Sequence, residues 1–219
     1  MKLIKLSLVA ALFAGSVAFA EEKSDLNLSA NVALTSNYVW RGMTQSDDSP
    51  AIQGGFDADY KGIYVGTWGS NVNFDTDASL ELDFYGGYTN DLFGITYDVG
   101  YLQYTYPNAT KGANFGEAYV GLSYDFKVVE VNAKASFGVD TDDFDAQDDY
   151  EAGVSVPLPW DMSVDASVGN YVHSGVHYYV GVTKEFNQFG ISLAYTGMDY
   201  DESSTDDEGN VVATISASF

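Results

Sequence analysis

The sequence predicts an all-β chain, a transmembrane antiparallel up-and-down β-barrel of 12 strands with short periplasmic turns and longer acidic extracellular loops. Three observations carry this reading. Apolar and polar residues alternate over a dozen segments, as side chains do across a strand. The stretch Ala78–Tyr88 is the clearest: Ala78, Leu80, Leu82, Phe84 and Tyr88 share one face, while Glu81 and Asp83 lie on the other. Its 11 residues match the roughly 9–11 that a tilted strand needs to cross a bilayer. Finally, the connections between segments sort by length into two sets, one short and one long.

In chain order, the first 20 residues read as a secretory signal peptide. Lys2 and Lys5 begin it, Leu6 to Phe19 is mostly apolar, and Ala18-Phe19-Ala20 is a small-x-small cleavage site ahead of Glu21. Residues 21–219 then form a single barrel domain. Loss of Lys2 and Lys5 with the leader takes the formal charge from −23 to −25. A chain so acidic repels phosphates, which excludes nucleic acid as a partner. It has no cysteine, so an exported protein of this size must be held by something other than disulfides, and a closed ladder suffices. No apolar run after the leader reaches the 18 residues that indicate a membrane helix. With 17 Tyr, 13 Phe and 22 Gly against 4 Pro, the composition is that of a β-protein.

The strands fall at Leu26–Tyr38, Ala51–Tyr60, Ile63–Ser70, Ala78–Tyr88, Gly94–Tyr104, Gly116–Tyr124, Val128–Val139, Tyr150–Leu158, Met162–Gly169, His177–Lys184, Gly190–Gly197 and Val211–Phe219. Connections after the even strands are brief, such as Lys61-Gly62 and Pro159-Trp160-Asp161. Those after the odd strands are longer and mostly acidic: 40–48, 71–77, 105–114, 140–149, 170–176 and 199–209. An outer-membrane barrel has short turns on one rim and long loops on the other, whereas a soluble sandwich has no reason to sort them. Aromatics gather near both rims, as two membrane interfaces require. Tyr60, Tyr124, Trp160, Phe186 and Phe219 lie by the short turns, and Trp40, Tyr101, Tyr104, Phe137, Tyr150 and Tyr171 lie toward the long loops. Register is firm, because a one-residue slip of the fourth strand would turn Glu81 and Asp83 to lipid at on the order of a few kcal/mol each.

A family resemblance starts at Ser36-Asn37-Tyr38-Val39-Trp40-Arg41-Gly42 and continues through Pro50 to Phe56, Gly62 to Asn71, with its Gly66-Thr67-Trp68, and Glu81 to Tyr88. Together these stretches resemble the TorF-type porin family, proteobacterial outer-membrane proteins of unknown function with a Gly-x-Trp motif. The resemblance implies a barrel in the outer membrane of a Gram-negative bacterium. The closing Phe219 also resembles the C-terminal aromatic read by the barrel-assembly machinery of such bacteria.

Asp57, Asp59, Glu81, Asp83, Asp98, Glu117, Glu130, Glu151 and Asp165 fall on the polar, inward face. Lys134 is the basic residue that faces them from a strand, and Arg41, the chain's one arginine, sits in the first long loop as a lumen base or loop anchor. An acidic lumen favours cations over anions. Eight strands make a packed barrel and 16–18 an aqueous channel, so 12 predict a narrow or loop-plugged pore. The function expected is therefore a narrow, cation-preferring diffusion channel for small solutes. The alternative is a non-conducting barrel whose acidic loops bind divalent cations, lipopolysaccharide or a surface partner. Asp140, Asp142, Asp143 and Asp145 are weak metal candidates without a twelve-residue calcium-loop pattern. His173, Ser174 and His177 are the residues nearest to a hydrolytic set, but two histidines are a poor basis for one. No enzyme activity and no cofactor are expected, and the partners expected are outer-membrane lipid, lipopolysaccharide and small solutes.

Overall fold

The computed structural model describes residues 25–74, 77–107, 109, 114–141, 144–202 and 204–219. The signal peptide and its cleavage point at Ala20–Glu21 lie outside these residues. Fourteen strands follow one another: β1 (Leu26–Thr35), β2 (Val39–Trp40), β3 (Met43–Thr44), β4 (Ala51–Tyr60), β5 (Ile63–Asn71), β6 (Leu80–Leu92), β7 (Ile95–Thr105), β8 (Phe115–Asp125), β9 (Glu130–Val139), β10 (Asp149–Leu158), β11 (Met162–Tyr171), β12 (Gly175–Phe186), β13 (Phe189–Tyr200) and β14 (Glu208–Ser218). Twelve of them close an antiparallel barrel in sequence order, and β2–β3 form a separate small hairpin.

Closure runs from Asn31↔Ser218 to Thr35↔Thr214. Phe219 adds the last rung, its N–H donating to the Ala30 carbonyl at 2.8 Å while the Ala30 N–H donates back at 2.9 Å. A closed ladder leaves no free sheet edge, the condition that a spanning β-structure must meet in hydrocarbon.

Alternation along each strand turns the larger apolar side chains outward. Ile52 and Phe56 on β4, Val65 on β5, Leu193 on β13 and Ile215 on β14 are all more than half exposed. So continuous an apolar wall is unfavourable in water and favourable in lipid, at about 25 cal/mol for each Å² removed from water. Tyr60, Tyr124, Phe126, Trp160, Phe186, Phe189 and Phe219 are exposed at the short-turn rim, the position of an aromatic girdle.

The structure departs from the sequence reading in four places. The first strand ends at Thr35 rather than Tyr38, and residues 36–50 leave the wall. Asp149 belongs to β10 and points inward, because it pairs with Ser136 and Tyr171 on the lumen side. The β11–β12 connection is only 172–174, so one of the supposed long loops is short. Trp40, Tyr104 and Tyr171 are not girdle residues: Tyr104 and Tyr171 are buried inside and Trp40 packs on both. Tyr101, Phe137 and Tyr150 do stand on the outer face.

Candidate functional site in the lumen

The nine acids named from sequence all sit at inward positions, as their register partners show. They do not form an open ring of charge. The Tyr85 hydroxyl donates to Asp57, and Asn27 Nδ2 donates to Asp59 at 3.0 Å. Tyr64 donates to Asp98 at 2.7 Å, Ser163 to Asp165 at 3.0 Å and Ser167 to Glu151 at 3.2 Å. Glu81 accepts from the Tyr38 hydroxyl at 2.9 Å. Burial, with the nearby Glu81 and Asp83 charges, holds the Tyr38 hydroxyl well above the ordinary phenol range, so it remains a donor.

Tyr38 comes from the segment 36–50, which folds into the barrel as a strap. Its end is knitted locally: the Thr35 hydroxyl donates to the Asn37 carbonyl at 2.9 Å, the Tyr38 N–H to Ser46 Oγ at 2.9 Å, and Thr44 Oγ1 to Asn37 Oδ1 at 2.8 Å. The β2–β3 hairpin turns on Arg41-Gly42, with φ of 48° and 79°. Positive φ at both central residues is what a type I′ hairpin turn demands. Glycine meets that demand freely, and it is also the only residue that fits at 42, where a Cβ would collide with the Gly197 carbonyl of β13. Arginine meets it at a cost of roughly 1–2 kcal/mol.

Arg41 recovers that cost inside the lumen. Its guanidinium grips Glu117 of β8 with Nη1–Oε1 at 2.6 Å and Nη2–Oε2 at 3.0 Å, and its Nε lies 3.3 Å from Asp149 Oδ2 of β10. The planar fork suits this bidentate geometry in a way a lysine ammonium would not. The guanidinium also lies against two aromatic rings, 4.3 Å from the Trp40 centroid and 4.8 Å from that of Tyr171. Only 9% of the Arg41 side chain and 1% of Glu117 remain exposed. Asp149 extends this network to His177, its Oδ1 lying 2.9 Å from Nε2. Lys134 stands on the same side of the lumen, 4.6 Å over the Tyr119 ring.

Around this latch the strap is packed with aromatics. Trp40 meets Tyr104, Phe115 and Tyr171 edge-on at 5.8, 6.2 and 5.4 Å, and Phe144 from the β9–β10 loop stacks on Phe115 at 4.8 Å. Across the lumen, the Thr44 N–H donates to Glu208 Oε2 at 2.9 Å and Asn37 Nδ2 to Asn210 Oδ1 at 3.3 Å. The strap is thus tied to β6, β8, β10, β11, β13 and β14.

Two further sets of candidates end up elsewhere. Asp140 accepts from the Ala146 N–H at 3.0 Å and Asp145 is exposed, while Asp142 and Asp143 lie outside the described residues. Among the described residues no group of three or more His, Cys, Asp or Glu is arranged to hold a metal ion. Ser174 Oγ donates to Gln147 Oε1 at 2.7 Å, His173 is exposed in the loop, and His177 belongs to the lumen network with Asp149.

A family described as bacterial protein of unknown function (Gcw_chp) matches residues 19–219. The chain belongs to that family. No curated protein matches it. Among solved structures this Gcw_chp member resembles the KdgM porin, with a TM-score of 0.58 at 8% identity over 87% of this chain and 96% of that one. It also resembles outer membrane phospholipase A from Escherichia coli, with a TM-score of 0.52 at 9% identity over 87% and 89% of the two chains. At these identities the likeness is one of fold: a porin-like barrel, shared by channels and by at least one enzyme.

Proposed function

We propose that this Gcw_chp protein is an outer-membrane diffusion channel of a Gram-negative bacterium, constricted by its infolded strap and preferring cations to anions. One observation carries the reading: a closed barrel with an apolar outside and a polar, hydrogen-bonded inside holds its first loop within its own lumen. Inward carboxylates outnumber the inward cations Arg41 and Lys134, so the lumen's potential is negative and anions are disfavoured. The small solutes that pass are this channel's substrates. Outer-membrane lipid and lipopolysaccharide surround it, and Phe219 presents it to the assembly machinery. In this reading it catalyses no reaction: the Ser174 hydroxyl donates to Gln147 and not to the His177 imidazole, which pairs with Asp149.

A second reading rests on the burial of the latch: with Arg41 and Glu117 almost wholly enclosed, the strap seals the barrel and the acidic loops act outside it. Recordings of the purified full-length protein in planar bilayers separate the two. A channel gives unitary conductance and, in a KCl gradient, a reversal potential of the sign that marks cation preference. Absence of conductance, or anion preference, refutes the first reading.

A further inference from the structure

The strap does not fill the lumen evenly. Trp40, Arg41 and their partners occupy the side formed by β7, β8, β10 and β11, where the ion pairs are concentrated. On the opposite side, against β1, β4, β5 and β12–β14, a cavity of about 80 Å³ remains. One wall of it is the strap itself, at Asn37, Tyr38 and Val39.

The lining of this cavity contrasts with the rest of the interior. Among the described residues no aspartate, glutamate, lysine, arginine or histidine lines it, in a chain that carries 32 acidic residues. Its polar groups are hydroxyls and carboxamides: Asn31, Thr35, Gln53, Ser192, Thr196 and Thr214. They come from four strands, β1, β4, β13 and β14; the Thr35, Thr196 and Thr214 hydroxyls already donate within the protein and offer acceptors, while Asn31, Gln53 and Ser192 can both donate and accept. Trp68 and Tyr38, edge to face at 5.4 Å, give it an aromatic side. Ala33, Ala194 and Val212 supply small apolar surface.

An ion brought here leaves its hydration shell and meets no counter-charge, which is costly in a confined interior. A neutral molecule rich in hydroxyls exchanges water for matching partners and lays its C–H faces on Trp68 and Tyr38. At about 30 Å³ for each water, the cavity holds on the order of two or three waters, room for one end of a small polyol. Building on the channel reading, we infer that this neutral cavity beside the strap is the solute site of the pore, and that it takes small uncharged polyhydroxylated molecules. The acids elsewhere in the lumen rank ions by sign, and the lining of the cavity itself carries no charge.

Three solutes of one skeleton test this: erythritol, its carboxylate analogue erythronate and its amine analogue 1-amino-1-deoxyerythritol. Swelling of liposomes containing the full-length protein reports entry of each. Erythritol should enter fastest, the amine more slowly and the carboxylate slowest. Ala33→Phe and Ala194→Phe, on β1 and β13, fill the cavity from two sides. Each should lower erythritol entry about tenfold or more, because close-packed interiors have no slack to absorb a phenyl ring. Heat-modifiable migration on gels certifies that each variant is folded. Entry of the amine as fast as erythritol, or wild-type erythritol entry in both folded variants, overturns the inference and leaves the channel reading standing. No swelling with any solute together with no bilayer conductance overturns both.

Discussion

Arg41→Gln is the perturbation that interrogates the lumen most directly. Glutamine keeps a planar donor and loses the charge, leaving Glu117 and Asp149 to face each other across a gap that a guanidinium had bridged at 2.6–3.3 Å. Removing one partner of a buried ion pair costs about 3–5 kcal/mol, because the charge left behind is desolvated and unpaired. The contacts with the Trp40 and Tyr171 faces add on the order of 1–2 kcal/mol for a cation stripped of water. At about 1.4 kcal/mol per factor of ten, the low end of this range alone shifts the balance between docked and released strap by about a hundredfold. The backbone ladder that closes the barrel uses none of these contacts, so the variant should still fold and migrate as a heat-modifiable species. In planar bilayers it should dwell in a larger-conductance state that the wild type visits rarely. Arg41→Lys should fall between the two, because an ammonium keeps the charge without the fork. Unchanged conductance and gating in a folded Arg41→Gln protein would refute the claim that this latch holds the strap.

Two further outcomes follow from the same structure. Gly42→Val places a side chain against the Gly197 carbonyl at a backbone φ of 79°, a conformation a β-branched residue adopts only at a cost of a few kcal/mol. It should raise the open-state dwell as Arg41→Gln does, and gating equal to that of the wild type would count against a packed strap tip. Phe56→Lys on the lipid face of β4 should destabilise the barrel by about 2–4 kcal/mol near mid-membrane, read as a lowered urea midpoint for folding into lipid vesicles. The matching change at inward Ser163, which lies beside Asp165, should cost far less, and equal losses at both sites would contradict the assigned faces.

The barrel was readable in the sequence because its cause is local. A strand with Glu81 and Asp83 on one side and Leu82 and Phe84 on the other has one register that keeps charge from lipid. Summed over 12 strands, that preference defines inside, outside and both rims. The strap was not readable, because what holds it is not local. Arg41 and Glu117 are 76 positions apart, and no periodicity links a loop to the far wall. Some of what was missed was nonetheless present. Tyr104 shares parity with Asp98, and Asp149 with Glu151, so counting in twos would have moved one out of the girdle and the other out of its acidic loop. The run of aspartates from 140 to 149 obscured the second of these, since charge runs ordinarily mark solvated loops.

The seam offers a consequence for how such a barrel comes into being. The strand that zips the first edge to the last, β1, runs without interruption into the strap. The groups that receive the strap are spread over β6 to β14 and converge only when the sheet has curled round. Stopper and zip are therefore one continuous piece of chain, and drawing the zip shut carries the stopper to its seat. On the channel reading proposed above, the barrel closes with its constriction already in place.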